Sequence, residues 1–177
     1  MVSKTLIIGA CGQIGSELTY KLRAEIGDEN VIASDIKESN LELVKSGPFK
    51  ILDAKNFDQI KECVEKNNVG TVYLMAAMLS ATGEKFPEKA WDLNMTSLLN
   101  VLNLAKEKII DKIFWPSSIA VFGPTTPKAN TPQRTIMEPT TVYGITKQVG
   151  ERWCEYYFNN YGVDIRSIRY PGIISWK

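Results

Sequence analysis

Two residues of this chain stand at a spacing suited to moving a proton. Of seven tyrosines, only Tyr143 has a lysine four positions later, at Lys147. On a helix that spacing puts both on one face. A phenol with its ordinary pKa of ~10 is a poor base at neutral pH, and a neighbouring ammonium favours the phenolate and lowers that value. The chain contains no histidine. That removes Ser-His-Asp and Cys-His catalysis and every histidine-ligated metal site, so the Tyr143–Lys147 pair is the best acid–base device present. Ser117 and Ser118 precede Tyr143 by about one sheet-and-helix unit. Either hydroxyl could hold a substrate oxygen beside the phenol, or cap a turn.

A second set of residues suits phosphate. Gly9-Ala10-Cys11-Gly12-Gln13-Ile14-Gly15 follows the apolar run Thr5–Ile8 and opens a helical pattern. In this G-x-x-G-x-x-G arrangement Gly9 permits a tight turn, Gly12 lets backbone approach a pyrophosphate, and Gly15 lets the helix pack close to the sheet. The helix N-terminus adds free N–H groups and a favourable dipole. Asp35 closes the next apolar run, twenty residues after Gly15. A carboxylate there accepts from a ribose diol and repels a 2′-phosphate, which favours NAD over NADP. Asp53 ends a third run, placed either to meet an adenine amine or to make a turn or N-cap. Ala76 and Ala77 are small enough for a cofactor to pass closely, and equally suited to plain core packing.

The elements that must position these residues follow from periodicity. Strands are expected at Thr5–Ile8, Val31–Ser34, Phe49–Leu52, Thr71–Ala76, Lys112–Trp115 and Val163–Ile168. Helices are expected over Ile14–Ile26, around Leu41–Lys45, and over Phe57–Lys66, Trp91–Lys108 and Val142–Asn159, with a proline-rich loop over Gly123–Pro139. Alternating strands and helices imply a doubly wound α/β fold: six parallel strands with helices on both faces, in one domain spanning residues 1–177. The net charge of +1 argues against nucleic acid or an anionic membrane surface as partner. Cys11, Cys63 and Cys154 form no C-x-x-C pair, so neither a zinc site nor a disulfide framework is expected, and no other metal site is proposed. No run has the length of a membrane span or of a signal peptide's apolar segment, and a cytoplasmic location is expected.

The glycine triplet, Ser118, Tyr143 and Lys147, in this order, resemble the extended short-chain dehydrogenases/reductases, the NAD-dependent epimerase/dehydratase family. Four strings narrow the resemblance to that family's NAD-dependent L-threonine 3-dehydrogenases: Gly12–Gly15, Leu79–Glu84, Trp115–Pro124 and Arg166–Ser175. The resemblance implies a Rossmann-type fold and oxidation of the C3 hydroxyl of L-threonine to 2-amino-3-oxobutanoate, with NAD as hydride acceptor. Tyr143 would take the hydroxyl proton, Lys147 would lower its pKa and hold the nicotinamide ribose, and Ser118 would orient the substrate oxygen. Ser80, with Ser118 and Tyr143, is the implied substrate contact. The implied cofactor site takes in Gly9, Gly12, Gln13, Ile14, Gly15, Asp35, Ile36, Asp53, Ala54, Leu74, Ala76, Ala77, Tyr143, Lys147, Tyr170 and Pro171, with Gly172 near the ring. The family also implies a small-molecule amino-acid substrate and a homodimer formed through the long helices.

Members of the family continue past the position of Lys177 with a lobe that closes over the substrate. Its absence here leads us to expect a C-terminally shortened chain, with an exposed tail from Ile173 to Trp176 and little turnover of its own. Two other readings share these residues: a nucleotide-sugar epimerase or dehydratase, and a non-catalytic NAD-binding module.

Overall fold

The computed structural model describes residues 3–39 and 42–174. Its centre is β1 (Lys4–Ile8), whose continuous apolar sequence is buried on both faces. Side chains alternate across a strand. Leu6 and Ile8 therefore enter one core, with residues of α2 (Phe57–Asn67), α4 (Pro87–Lys106) and α5 (Val142–Tyr161), while Ile7 enters the other, beneath α1 (Gln13–Ile26).

Parallel strands β2 (Val31–Asp35) and β4 (Val69–Leu74) flank β1. Outside them lie β3 (Phe49–Ile51) on one side, and β5 (Lys112–Phe114) then β7 (Asp164–Arg166) on the other. The sheet order β3-β2-β1-β4-β5-β7 reverses direction between β1 and β4. Crossovers leave that point in opposite senses and open a crevice at the carboxyl edge, where ligands bind in such sheets. This is the six-stranded Rossmann-type architecture expected from the sequence.

Several boundaries differ from expectation for identifiable reasons. The helix expected around Leu41–Lys45 is a single 3₁₀ turn, Glu42–Val44, before the breakers Gly47 and Pro48; Leu41 lies outside the described residues. β4 stops at Leu74 because the N–H groups of Met75 and Ala76 both turn to the Ile8 carbonyl, at 2.7 and 2.9 Å. α4 begins earlier than expected, with Pro87 in its first turn, where a missing N–H is harmless. The last strand breaks after Arg166, and the chain re-enters as β8 (Arg169–Tyr170), pairing in parallel with β6 (Ser117–Ser118) in a two-stranded ladder. Sequence periodicity misses this ladder and the short α3 (Ser80–Gly83). Ile174 is almost fully exposed, and Trp176 lies outside the described residues. Among the described residues, no helix is long and apolar enough to cross a membrane.

Candidate active site

The crevice at the carboxyl edge comprises two cavities of about 360 Å³ each, which share Gly9, Gly12, Met75 and Ala77. The first is lined by the β1–α1 turn, by Asp35 and Ile36 after β2, by Asp53 and Ala54 after β3, and by Ala76 after β4. The turn is close-packed. Gly9 has φ of 88°, and a Cβ on it would meet the Ala76 nitrogen at 2.5 Å; a Cβ on Gly15 would meet the Gly9 carbonyl oxygen at 2.2 Å. Gly12 is exposed toward the crevice and caps α1 with no side-chain hydrogen bond, and the first turn carries no acidic residue. The helix dipole is thus left to an anion from outside. Such a cradle fits a dinucleotide pyrophosphate.

Asp35 is held rigidly. Its carboxylate accepts from Cys11 N–H at 2.9 Å and from Ile36 N–H at 2.8 Å. Asp53 accepts from Lys55 N–H at 2.9 Å, which is the turn role left open by its spacing, and it still borders the cavity.

The second cavity brings together Gln13, Ile14 and Gly15 of α1, Ser118 of β6, Tyr143 and Lys147 of α5, and Tyr170 and Pro171. Thr141 starts α5 by accepting from Gly144 N–H at 3.0 Å, so Tyr143 lies in the first turn and Lys147 one turn further in. Ser118 Oγ accepts from Ala120 N–H at 3.1 Å, which leaves its own proton for Tyr143. Burial pushes the Tyr143 phenol above its ordinary pKa, and the hydrogen bond from Ser118 opposes that shift.

Here the structure adds a depth that the spacing does not give. Lys147 is 2 % exposed, donates to the Pro116 carbonyl at 2.6 Å and lies 4.4 Å from the Trp115 ring centroid. Desolvation lowers its pKa to about 7. In the ligand-free chain the downward pull on the Tyr143 phenol comes from the Ser118 hydrogen bond, with Lys147 Nζ 5.5 Å from the phenol ring centroid.

Some candidates lie elsewhere. Leu74 is a core residue, 1 % exposed, and borders neither cavity. Ser117 borders the second cavity, but its hydroxyl is engaged elsewhere, donating to Glu151 at 2.6 Å. Ser80 begins α3 just beyond Leu79, which does line the second cavity; Gly172 lines neither cavity. The sequence reading missed Met75, which both cavities share. It also missed Asn94, whose amide bonds the Met78 backbone and Thr146 of α5. A polar residue on the buried stripe of α4 was the available signal.

The chain belongs to the NAD dependent epimerase/dehydratase family, whose pattern matches residues 5–176. Over 175 residues it is 51% identical to an uncharacterized epimerase/dehydratase of Staphylococcus saprophyticus, covering 98% of this chain and 54% of that protein. Among solved structures it resembles a partial consensus L-threonine 3-dehydrogenase, with 60% identity, a TM-score of 0.95, and coverage of 98% of this chain and 56% of that one. It is also similar to the holo form of a GalE-like L-threonine dehydrogenase from Cupriavidus necator, with 55% identity, a TM-score of 0.95, and coverage of 98% and 57%. The chain spans about half the length of the curated relatives it matches.

The depressed Lys147 has a consequence for stability. Its folded pKa of about 7 lies below the 10.5 of an unperturbed lysine, so between these values the unfolded chain binds more protons and stability rises with pH. Above 9.0 the buried Cys154 thiol, pushed up to about 12, works in the opposite sense. We expect urea midpoints of the ligand-free chain to increase from about pH 6.5 to about pH 8.5, and Lys147→Met to flatten that rise. An unchanged slope in the variant would show that Lys147 does not titrate there.

Proposed function

We propose that the protein carrying this chain oxidises the C3 hydroxyl of L-threonine to 2-amino-3-oxobutanoate, with NAD as acceptor. The observation that carries this reading is the meeting of Ser118, Tyr143 and Lys147 in a cavity continuous with the Gly9–Gly15 turn and Asp35. The choice of threonine is supported by the solved relatives that are L-threonine dehydrogenases.

Bound in the crevice, NAD would supply a hydride acceptor at its nicotinamide. The α1 N-terminus would hold its pyrophosphate, and Asp35 would accept from its ribose diol. Ser118 donates to the substrate oxygen and fixes its direction. As the phenolate, Tyr143 Oη takes the hydroxyl proton and becomes the neutral phenol as C3 gives up its hydride, leaving a C3 carbonyl. Lys147, with one N–H held by Pro116, would turn its remaining N–H to the ribose hydroxyls. Ser80, at the head of α3, is the proposed contact to the amino-acid part. The three free thiols suit a cytoplasmic setting.

We also propose a homodimer through α5. Trp153 and Tyr156 are exposed, stack edge to face at 5.8 Å, and with Val149 and Arg152 line an open apolar hollow of about 520 Å³. Exposed aromatics on a helix face suit such an interface. Trp153→Glu should convert a dimer to a monomer in sedimentation experiments. A wild-type chain already monomeric at high concentration would refute this.

Two experiments test the reaction. Calorimetric titration of the chain should give tighter binding of NAD than of NADP, with the gap narrowed in Asp35→Ala; equal affinities in the wild type would sink the assignment. In the protein that carries this chain, Tyr143→Phe should keep NAD binding and lose ~10²–10⁴-fold in turnover. A variant within about threefold of wild type would exclude Tyr143 as the base.

A further inference from the structure

Outside the crevice, a close-set polar cluster joins α5 to the β6–β8 ladder. Arg169 donates from Nε to Glu151 Oε1 and from Nη2 to Oε2, each at 2.7 Å. Both side chains are largely buried, at 15% and 11% exposed. Ser117 Oγ donates to the same Glu151 Oε1 at 2.6 Å. Arg169 also donates from Nη1 to the Gln133 carbonyl, and its guanidinium lies 5.3 Å from the Phe122 ring centroid. Burial would raise the Glu151 carboxyl, but the Arg169 and Ser117 hydrogen bonds prevail and hold it below the ordinary range.

We propose that Glu151 and Arg169 are positioning residues whose ion pair sets the approach of Ser118 to Tyr143. The ladder consists of two register pairs, Ser117 with Arg169 and Ser118 with Tyr170, too short to be rigid alone. Glu151 contacts both its strands. It lies two turns beyond Tyr143 and one beyond Lys147, on the same face of α5. One carboxylate thus ties three segments together. Alternation along a strand does the rest. Because the Ser117 hydroxyl and Arg169 turn to Glu151, the side chains of Ser118 and Tyr170 turn the other way, into the cavity that holds Tyr143 and that Ser117 also borders. Glu151 and Arg169 border neither cavity of the crevice, so they act through their neighbours. The inference rests on the reading of Ser118 and Tyr143 as the reacting pair.

The test is a titration of ¹³C-labelled tyrosine in the ligand-free chain by NMR, with the Tyr143 signal assigned by its loss in Tyr143→Phe. The double variant Glu151→Met, Arg169→Met replaces the pair by apolar side chains of similar size, an exchange that buried ion pairs commonly tolerate. Ser117→Ala instead cuts only the link from carboxylate to strand. We expect the Tyr143 midpoint to rise by about 0.5 to 1 unit in the double variant, the worth of one hydrogen bond lost from Ser118, and to rise less in Ser117→Ala. Val64→Ala, which opens a cavity under α2, should lower stability and leave the midpoint in place. A folded double variant that titrates like wild type overturns the proposal; should that variant not fold, an unchanged midpoint in Ser117→Ala overturns it. The titration reads the phenol without cofactor or substrate, so failure to bind NAD or threonine would count against the proposed reaction and not against this result.

Discussion

The seating of α5 on the end of β5 is the constraint on which the candidate active site depends. A Cβ on Gly150 would come within 2.3 Å of the Trp115 ring, so the helix lies against that ring only at its glycine. One turn earlier, Lys147 reaches the Pro116 carbonyl and sits beside the same ring. The next residue, Glu151, holds Ser117 and Arg169. Residues 147–151, little more than one turn, therefore meet one short stretch of chain, residues 115–117. A slide or rotation of α5 would break all of these contacts together. Tyr143 sits at the other end of that docked helix, where a Cβ on Gly144 would come within 2.2 Å of the Ala120 carbonyl oxygen and Val142 N–H donates to Glu84 at 2.8 Å, so packing at both ends places it beside Ser118.

This arrangement carries an electrostatic cost. Burying an ammonium against one carbonyl and a ring disfavours its charge, and burying a phenol disfavours the phenolate. Both shifts leave the pair closer to neutral than a surface tyrosine–lysine pair would be. On the other side of the crevice the constraint is steric. The backbone of β1, its turn and the strand end after β4 approach so closely that Gly9 and Gly15 admit no side chain. The same approach brings the start of α1 to the point where the sheet order reverses.

Much of this was legible in the sequence because it follows from local periodicity and glycine chemistry. The apolar strands, the helix that begins after Gly12 and the shared face of Tyr143 and Lys147 need only short-range rules. What was not legible depends on contacts distant in sequence. The β6–β8 ladder joins residues some fifty positions apart and has only two register pairs, too few for an alternation pattern. Ser117 and Ser118 are chemically identical, and only the carboxylate of Glu151 distinguishes them. The burial of Lys147 is not legible either, because i, i+4 spacing gives a shared face and says nothing of depth. Leu74 was placed one residue too deep, since the strand's last side chain points into the core.

The most direct measurement of the central claim follows the hydride. Incubating the protein that carries this chain with NAD and L-threonine deuterated at C3 should yield NADH bearing deuterium at C4 of the nicotinamide ring, together with 2-amino-3-oxobutanoate or its decarboxylation product. NADH without the label would place the chemistry at another carbon. No reduction of NAD by threonine, in a protein that binds both, would contradict the account.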